Sequence, residues 1–180
     1  MPTATAAATL IREAEEADFP AVVSVLRAAN AQFERVLPPA FYHAYLTNVL
    51  DIHSRLHESL LLVAEHEGRI AGTIALYPDA SREGWGWPAH WSGIRAVAVE
   101  PSARGHGIGH DLALECMDRS RSLGAEAVCL HTATFMEAAV AMYERLGFRR
   151  AREFDREAGS LFTSDASVSP IAALAYRCDL

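Results

Sequence analysis

Val97-Ala-Val-Glu-Pro-Ser-Ala-Arg-Gly-His-Gly-Ile-Gly109 decides how the rest of this 180-residue chain is read. An apolar strand ends at Pro101, a loop with alternating glycines follows, and a helix opens on the last of them. Such a loop can bring its backbone close to a ligand, because glycine has no side chain and tolerates positive φ. The unpaired amides of a helix's first turn, with the positive end of the helix dipole behind them, then suit phosphate oxygens. A Walker A loop would need lysine and then Ser or Thr after the last glycine. His110 and Asp111 stand there, and the chain contains no lysine, its 16 basic residues all being arginine. That composition also removes a kinase strand lysine and any lysine Schiff base. A dinucleotide fingerprint, Gly-x-Gly-x-x-Gly early in a βαβ unit, fails as well, since Gly105-x-Gly107 is followed by His110.

A second segment lies downstream. Val128–Thr132 reads as a strand and residues 136–146 as a helix, closed by Tyr143-Glu-Arg-Leu-Gly147-Phe148. Arg104-x-x-Gly107-x-Gly109 resembles the acyl-CoA signature of the GCN5-related N-acetyltransferases, and Tyr-x-x-x-Gly-Phe resembles the same family's later block. The two blocks stand in the family's order, Gly109 and Tyr143 being 34 positions apart.

Composition fits this resemblance. Hydrophobic residues make up 51% and charged residues 22%, as in an ordinary soluble domain. Three dispersed cysteines, an odd number, point to reduced thiols in a cytoplasmic protein. No apolar run is long enough for a membrane span. A net charge of −7 argues against nucleic-acid binding and mildly favours a cationic acceptor. Residues 1–8 are expected to be a short flexible lead and 9–180 one domain, with no second domain.

The pattern along the chain predicts β-α-α-β-β-β-α-β-α-β-β. Its strands are expected at 9–14, 60–65, 69–77, 92–99, 126–132, 148–153 and 172–178. Helices are expected at 19–29 (capped by Asp18), 40–57, from the glycine loop to about 122, and 136–146. A Pro-, Gly- and Trp-rich loop covers 78–90, and a polar loop with Gly159, Ser160, Ser164 and Ser167 precedes the last strand. The fold class is α/β with a mixed, mostly antiparallel sheet and helices on both faces, the acyl-CoA N-acyltransferase fold that the resemblance implies.

The resemblance also implies a site. Val97, Ala98 and Val99 would lie against the pantetheine arm. Arg104, Gly105, His106, Gly107, Ile108, Gly109 and His110 would surround the pyrophosphate, Arg104 adding a planar donor fork. Tyr143 would point at the thioester sulfur, with Met136 and Ala139 beside the donor. The family often has asparagine where Met136 stands, so an amide contact to the arm would be replaced by apolar packing. The implied donor is acetyl-CoA and the acceptor the primary amine of a small molecule, with no metal, nucleic acid or membrane. Homodimers are common among similar proteins. The i, i+4 pair His106 and His110 lacks the zincin glutamate, and His53 and His57 read as a solvated helix face.

The sequence does not single out a general base. Asp79, Glu83, His90 and His131 are candidates, with His131 and Glu83 ranked first. Trp85, Trp87 and Trp91, with Phe33, Tyr42 and Tyr45, could form an aromatic acceptor pocket or an ordinary core. Three functions remain open: small-molecule N-acetyltransferase, protein N-acetyltransferase, and a non-catalytic acyl-CoA-binding sensor or assembly module.

Overall fold

The structure is a computed structural model that describes residues 9–158 and 171–180. The expected lead at 1–8 and the polar-loop residues Gly159, Ser160, Ser164 and Ser167 lie outside the described residues. The strands are β1 (Leu10–Glu13), β2 (Leu60–His66), β3 (Arg69–Tyr77), β4 (Ser92–Val99), β5 (Ala127–Thr132), β6 (Arg149–Arg150), β7 (Arg156–Glu157) and β8 (Ala172–Asp179). The helices are α1 (Phe19–Asn30), α2 (Pro39–Leu50), α3 (Ile108–Ser122) and α4 (Glu137–Arg145). The strands form one sheet in the order β1-β2-β3-β4-β5-β8-β6, with β7 also on β8. Every described pairing is antiparallel except β4 with β5.

Helix periodicity explains the two layers. Val22, Val25, Leu26 and Ala29 fall at i, i+3, i+4 and i+7 of α1 and pack with Val63 and Ala98 on one face of the sheet. Ile108, Leu112 and Cys116, each four apart on α3, pack with Leu62, Ile74 and Val128 on the other. The strand alternation of Leu62 and Val63, buried on opposite faces, is what a sheet covered on both sides requires.

Several boundaries differ from the sequence reading, each for a local reason. The second helix stops at Leu50 rather than running to 57, because Asp51 leaves helical geometry at φ −78, ψ 73. The Arg55 side chain returns to donate to the carbonyls of Asn48 and Val49, satisfying that helix end from outside it. His53 therefore lies in a single 3₁₀ turn, edge-on to Phe19, and not on the helix. Asp18 makes no capping bond to α1; its carboxylate takes the Arg12 guanidinium at 2.6 and 3.0 Å and the Glu15 amide at 2.8 Å. The expected strand over 148–153 contracts to Arg149–Arg150, followed by a 3₁₀ turn and then β7. Asp155 anchors this detour by accepting from Arg150 and from the Ala175 amide of β8.

The pairing of β4 and β5 positions everything that follows. It covers only Ser92 with Val128 and Gly93 with Cys129, after which the strands part. On its other side β4 carries a register slip opposite Thr73–Ala75, with Ala96 in the left-handed region at φ 54. A bulge of this kind bends a strand and raises its twist, here next to the point where the sheet opens.

Candidate active site

A cavity of about 750 Å³ opens where β4 and β5 separate. Its walls come from the end of α1, β4 from Ile94 to Val99, the glycine loop, the end of β5, and α4. Val97, Ala98, Val99, Arg104, Gly105, Gly107, Ile108, Gly109, His110, Met136, Ala139, Tyr143, His131 and Glu83 all line it. His106 does not: its ring lies 5.2 Å from that of His66, and its Nδ1 faces the Ala103 carbonyl at 3.2 Å.

The glycine loop presents backbone to the cavity. Gly107, at φ +78, is the residue from which α3 starts, a conformation that non-glycine side chains disfavour. The first bond back across this turn runs from the Asp111 amide to the Gly107 carbonyl at 2.9 Å. The amides of Ile108, Gly109 and His110 thus have no intrahelical acceptor, and they stand at the positive end of a 15-residue helix. The loop therefore fits a pyrophosphate by its donors. Arg104 lines the cavity with its guanidinium turned toward α1. Its guanidinium donates to the Ala29 carbonyl at 3.2 Å and faces Gln32 at 3.4 Å, tying the loop to the end of α1.

Tyr143 is 5% exposed and stands between Phe148 and the cavity. Its hydroxyl has no hydrogen-bond partner among the described residues, and burial holds its pKa well above the ordinary phenol value. It is a neutral donor across the physiological range. Met136 precedes α4, where its sulfur accepts from the Thr132 hydroxyl at 3.7 Å.

The base candidates separate. Glu83 is the last residue of the 3₁₀ turn Ala80–Glu83 and reaches to the splay point, filling the space that a side chain at 93 would need. A Cβ built on Gly93 would lie 1.8 Å from Glu83 Oε1. That oxygen is inaccessible and without a hydrogen-bond partner, although part of the residue is exposed. Burial raises the carboxyl pKa to about 8, opposed by the nearby positive charge of Arg95. His131 lies between the rings of Trp85 and Trp87, at 4.5 and 4.6 Å. Its Nε2 donates to the Phe154 carbonyl at 2.8 Å, so the neutral ring has its lone pair on the buried, unpartnered Nδ1. Burial, only partly offset by that bond, lowers its pKa to about 4, making it the weaker proton acceptor. Asp79 is occupied by the amide and hydroxyl of Ser81 at 3.0 and 2.6 Å, and His90 pairs at the surface with Glu126 at 3.2 Å.

The aromatic residues divide in a way that sequence does not reveal. Trp87 and Trp91 are core residues, packed with Phe154 under β5 and β8. Tyr42 lies outside the cavity, while Trp85, Phe33 and Tyr45 line it. The cavity also contains Asn48 and Arg95, neither singled out by sequence reasoning. The signal for Arg95 was present as the only charged residue in the strand Ser92–Val99. The site's own charged groups are mostly basic, Arg95, Arg104 and Arg145 against Glu83 and Glu137, so the chain's net negative charge does not carry into it.

Comparison with known proteins agrees with this geometry. The profile of the acetyltransferase (GNAT) family matches residues 9–148. An uncharacterized N-acetyltransferase of Escherichia coli, YjgM, is 27% identical over 133 residues, 73% of this chain and 76% of that protein. The N-alpha-acetyltransferase RimI of Mycobacterium tuberculosis is 33% identical over 95 residues, spanning 51% of this chain and 58% of that one. The chain thus spans under two thirds of RimI. The PaiA N-acetyltransferase of Thermoplasma acidophilum, solved with coenzyme A, superposes with a TM-score of 0.71 over 96% of this chain and 99% of that one. At 15% identity, that likeness shows the fold alone. The chain belongs to the acetyltransferase (GNAT) family, whose chemistry is acetyl transfer from an acyl-CoA donor. Among the described residues, no helix is long and apolar enough to cross a membrane.

Proposed function

We propose that this member of the acetyltransferase (GNAT) family is a cytoplasmic, single-domain enzyme that transfers the acetyl group of acetyl-CoA to the primary amine of a small molecule. Transfer is by direct attack in a ternary complex. The observation that carries this reading is the convergence of the glycine loop, Tyr143 and Glu83 on one cavity at the β4–β5 splay.

Acetyl-CoA supplies an activated thioester; the chain's residues hold it and manage protons. The amides of Ile108, Gly109 and His110 hold the pyrophosphate, and Val97 to Val99 offer backbone groups to the arm. An alkylamine with a pKa near ~10 arrives protonated and must lose a proton before it can attack. Ionised Glu83 accepts that proton, its buried oxygen making it a far stronger base than an exposed carboxylate. The amine nitrogen bonds to the acetyl carbon, the carbon–sulfur bond breaks, and the electron pair stays on sulfur. Tyr143 donates to the sulfur as charge develops there. An ordinary thiol near ~8.5 and phenol near ~10 make complete transfer from the phenol to a free thiolate uphill. Burial of Tyr143 steepens that slope, so its role is a hydrogen bond to the leaving sulfur. The amine sheds two protons in all; one completes the thiol and one reaches solvent.

A protein N-terminus as acceptor is the second reading, favoured by the similarity to a relative named as an N-alpha-acetyltransferase. Release of free thiol from acetyl-CoA, measured against small primary amines and against peptides with free N-termini, tests both. The first reading predicts amine-dependent release with at least one small amine. Release with peptides alone would favour the second. Tight CoA binding with no release from any acceptor would favour a non-catalytic module.

A further inference from the structure

Arg95 is a charged group in the cavity that neither gives nor takes a proton in the proposed reaction. Its guanidinium donates to Asn48 Oδ1 at 2.9 Å and lies over the Trp85 ring, 5.5 Å from the centroid. No carboxylate among the described residues lies within 4.0 Å of it, unlike Arg12, Arg119 and Arg150, which are paired. The guanidinium has five N–H donors, and a single hydrogen bond leaves most of the fork available. Holding such a side chain by an amide and an aromatic face fixes its position without neutralising its charge.

Its place on β4 relates it to the base. Residues 93 and 95 point to the same face of a strand and lie about 6.6 Å apart along it. The Glu83 carboxyl occupies the side-chain position that Gly93 leaves open. The cavity thus carries a proton acceptor and, one strand repeat away, a fixed cation able to grip an anion. The rest of the cavity wall is largely apolar and includes Phe33, Phe41 and Phe135.

We propose that the acceptor is an amino-carboxylate, an amine whose molecule also bears a carboxylate, and that Arg95 is the residue that selects it by a charge-assisted hydrogen-bonded pair. This rests on the acetyl-transfer reading for the amine half and on the Arg95 geometry for the carboxylate half. A bound carboxylate would also screen the positive charge that opposes proton uptake at Glu83, so the correct acceptor strengthens its own base.

The test compares L-phenylalanine with phenethylamine, which lacks only the carboxylate, and with L-phenylalaninamide, in which it is neutral. Each is titrated into the full-length protein saturated with CoA. Thiol release from acetyl-CoA is then measured with the same three compounds. The amino acid is expected to bind about 10- to 100-fold more tightly than either analogue. Arg95→Gln should bring the three affinities together and, with rates taken on the high-pH plateau where Glu83 is ionised, act through KM rather than kcat; Arg95→Lys should recover part of the preference. Equal affinity of the three in the wild type, no measurable binding of the amino acid, or a preference that survives Arg95→Gln would overturn the proposal. A carboxylate preference in binding with no thiol release from any compound would instead break the acetyl-transfer reading and leave the selectivity of Arg95 standing.

Discussion

The two ends of the cavity are built by different means. The end proposed to hold the donor is mostly backbone: three first-turn amides of α3, the free edge of β4, and one tyrosine on α4. The end proposed to take the acceptor is made of side chains from separate elements, Glu83 from a turn, Arg95 from β4, Asn48 from α2 and Trp85 from a loop. A backbone site demands a short contiguous pattern of glycines and a helix start, so it recurs wherever the same carrier is bound. A side-chain site demands only that distant residues converge, so it can vary without disturbing the fold. On the proposed assignment, carrier identity is encoded locally and acceptor identity tertiarily.

This contrast can be broken by substitution, beginning where the effect should be largest. Tyr143→Phe should lower kcat about 10²-fold or more and leave acyl-CoA affinity nearly unchanged, because the lost hydrogen bond acts on the leaving sulfur. Steady-state thiol release beside a CoA titration checks this; unchanged turnover would remove the tyrosine from the chemistry. Gly93→Ala is next. Its Cβ would lie 1.8 Å from Glu83 Oε1, so the carboxyl must swing away, and kcat/KM should fall about 10-fold while the CoA Kd holds. A weaker CoA affinity there would mean that the two ends are not separable. Gly107→Ala should act in the opposite sense. Forcing alanine to φ +78 strains the turn by about 1–2 kcal/mol, raising the KM for acetyl-CoA by roughly 5-fold or more with little change in the acceptor's KM.

What was legible in the sequence follows the same division. The glycine loop, the β2–β3 hairpin and the α3 stripe of Ile108, Leu112 and Cys116 are local patterns, and the structure contains each. The end of α2 was not legible, because Arg55 completes it from five residues beyond its last turn. Nor was β7, a two-residue strand that exists only because β8 is there to pair with it. In the site, Arg104 matched its motif by position, yet its side chain is engaged with the end of α1, since spacing cannot say where a long side chain points. His106 likewise belongs to the loop while its ring turns to His66. The tryptophans show the limit most clearly. Trp85 lines the cavity, while Trp87 and Trp91 fill the core, though all three lie within seven residues of sequence.

In the proposed reaction Glu83 joins the two ends, since the proton it would take is what lets the acceptor attack the donor. The most direct test is therefore the pH dependence of kcat/KM for thiol release in the wild type and in Glu83→Gln. A base held at about 8 by burial works only when ionised, so wild-type kcat/KM should climb with pH and level off above about 8. The same profile in Glu83→Gln should lie about 10²-fold lower on the plateau and lose the inflection. A wild-type inflection near 8 that survives unchanged in Glu83→Gln, at undiminished rate, would contradict the assignment of the base.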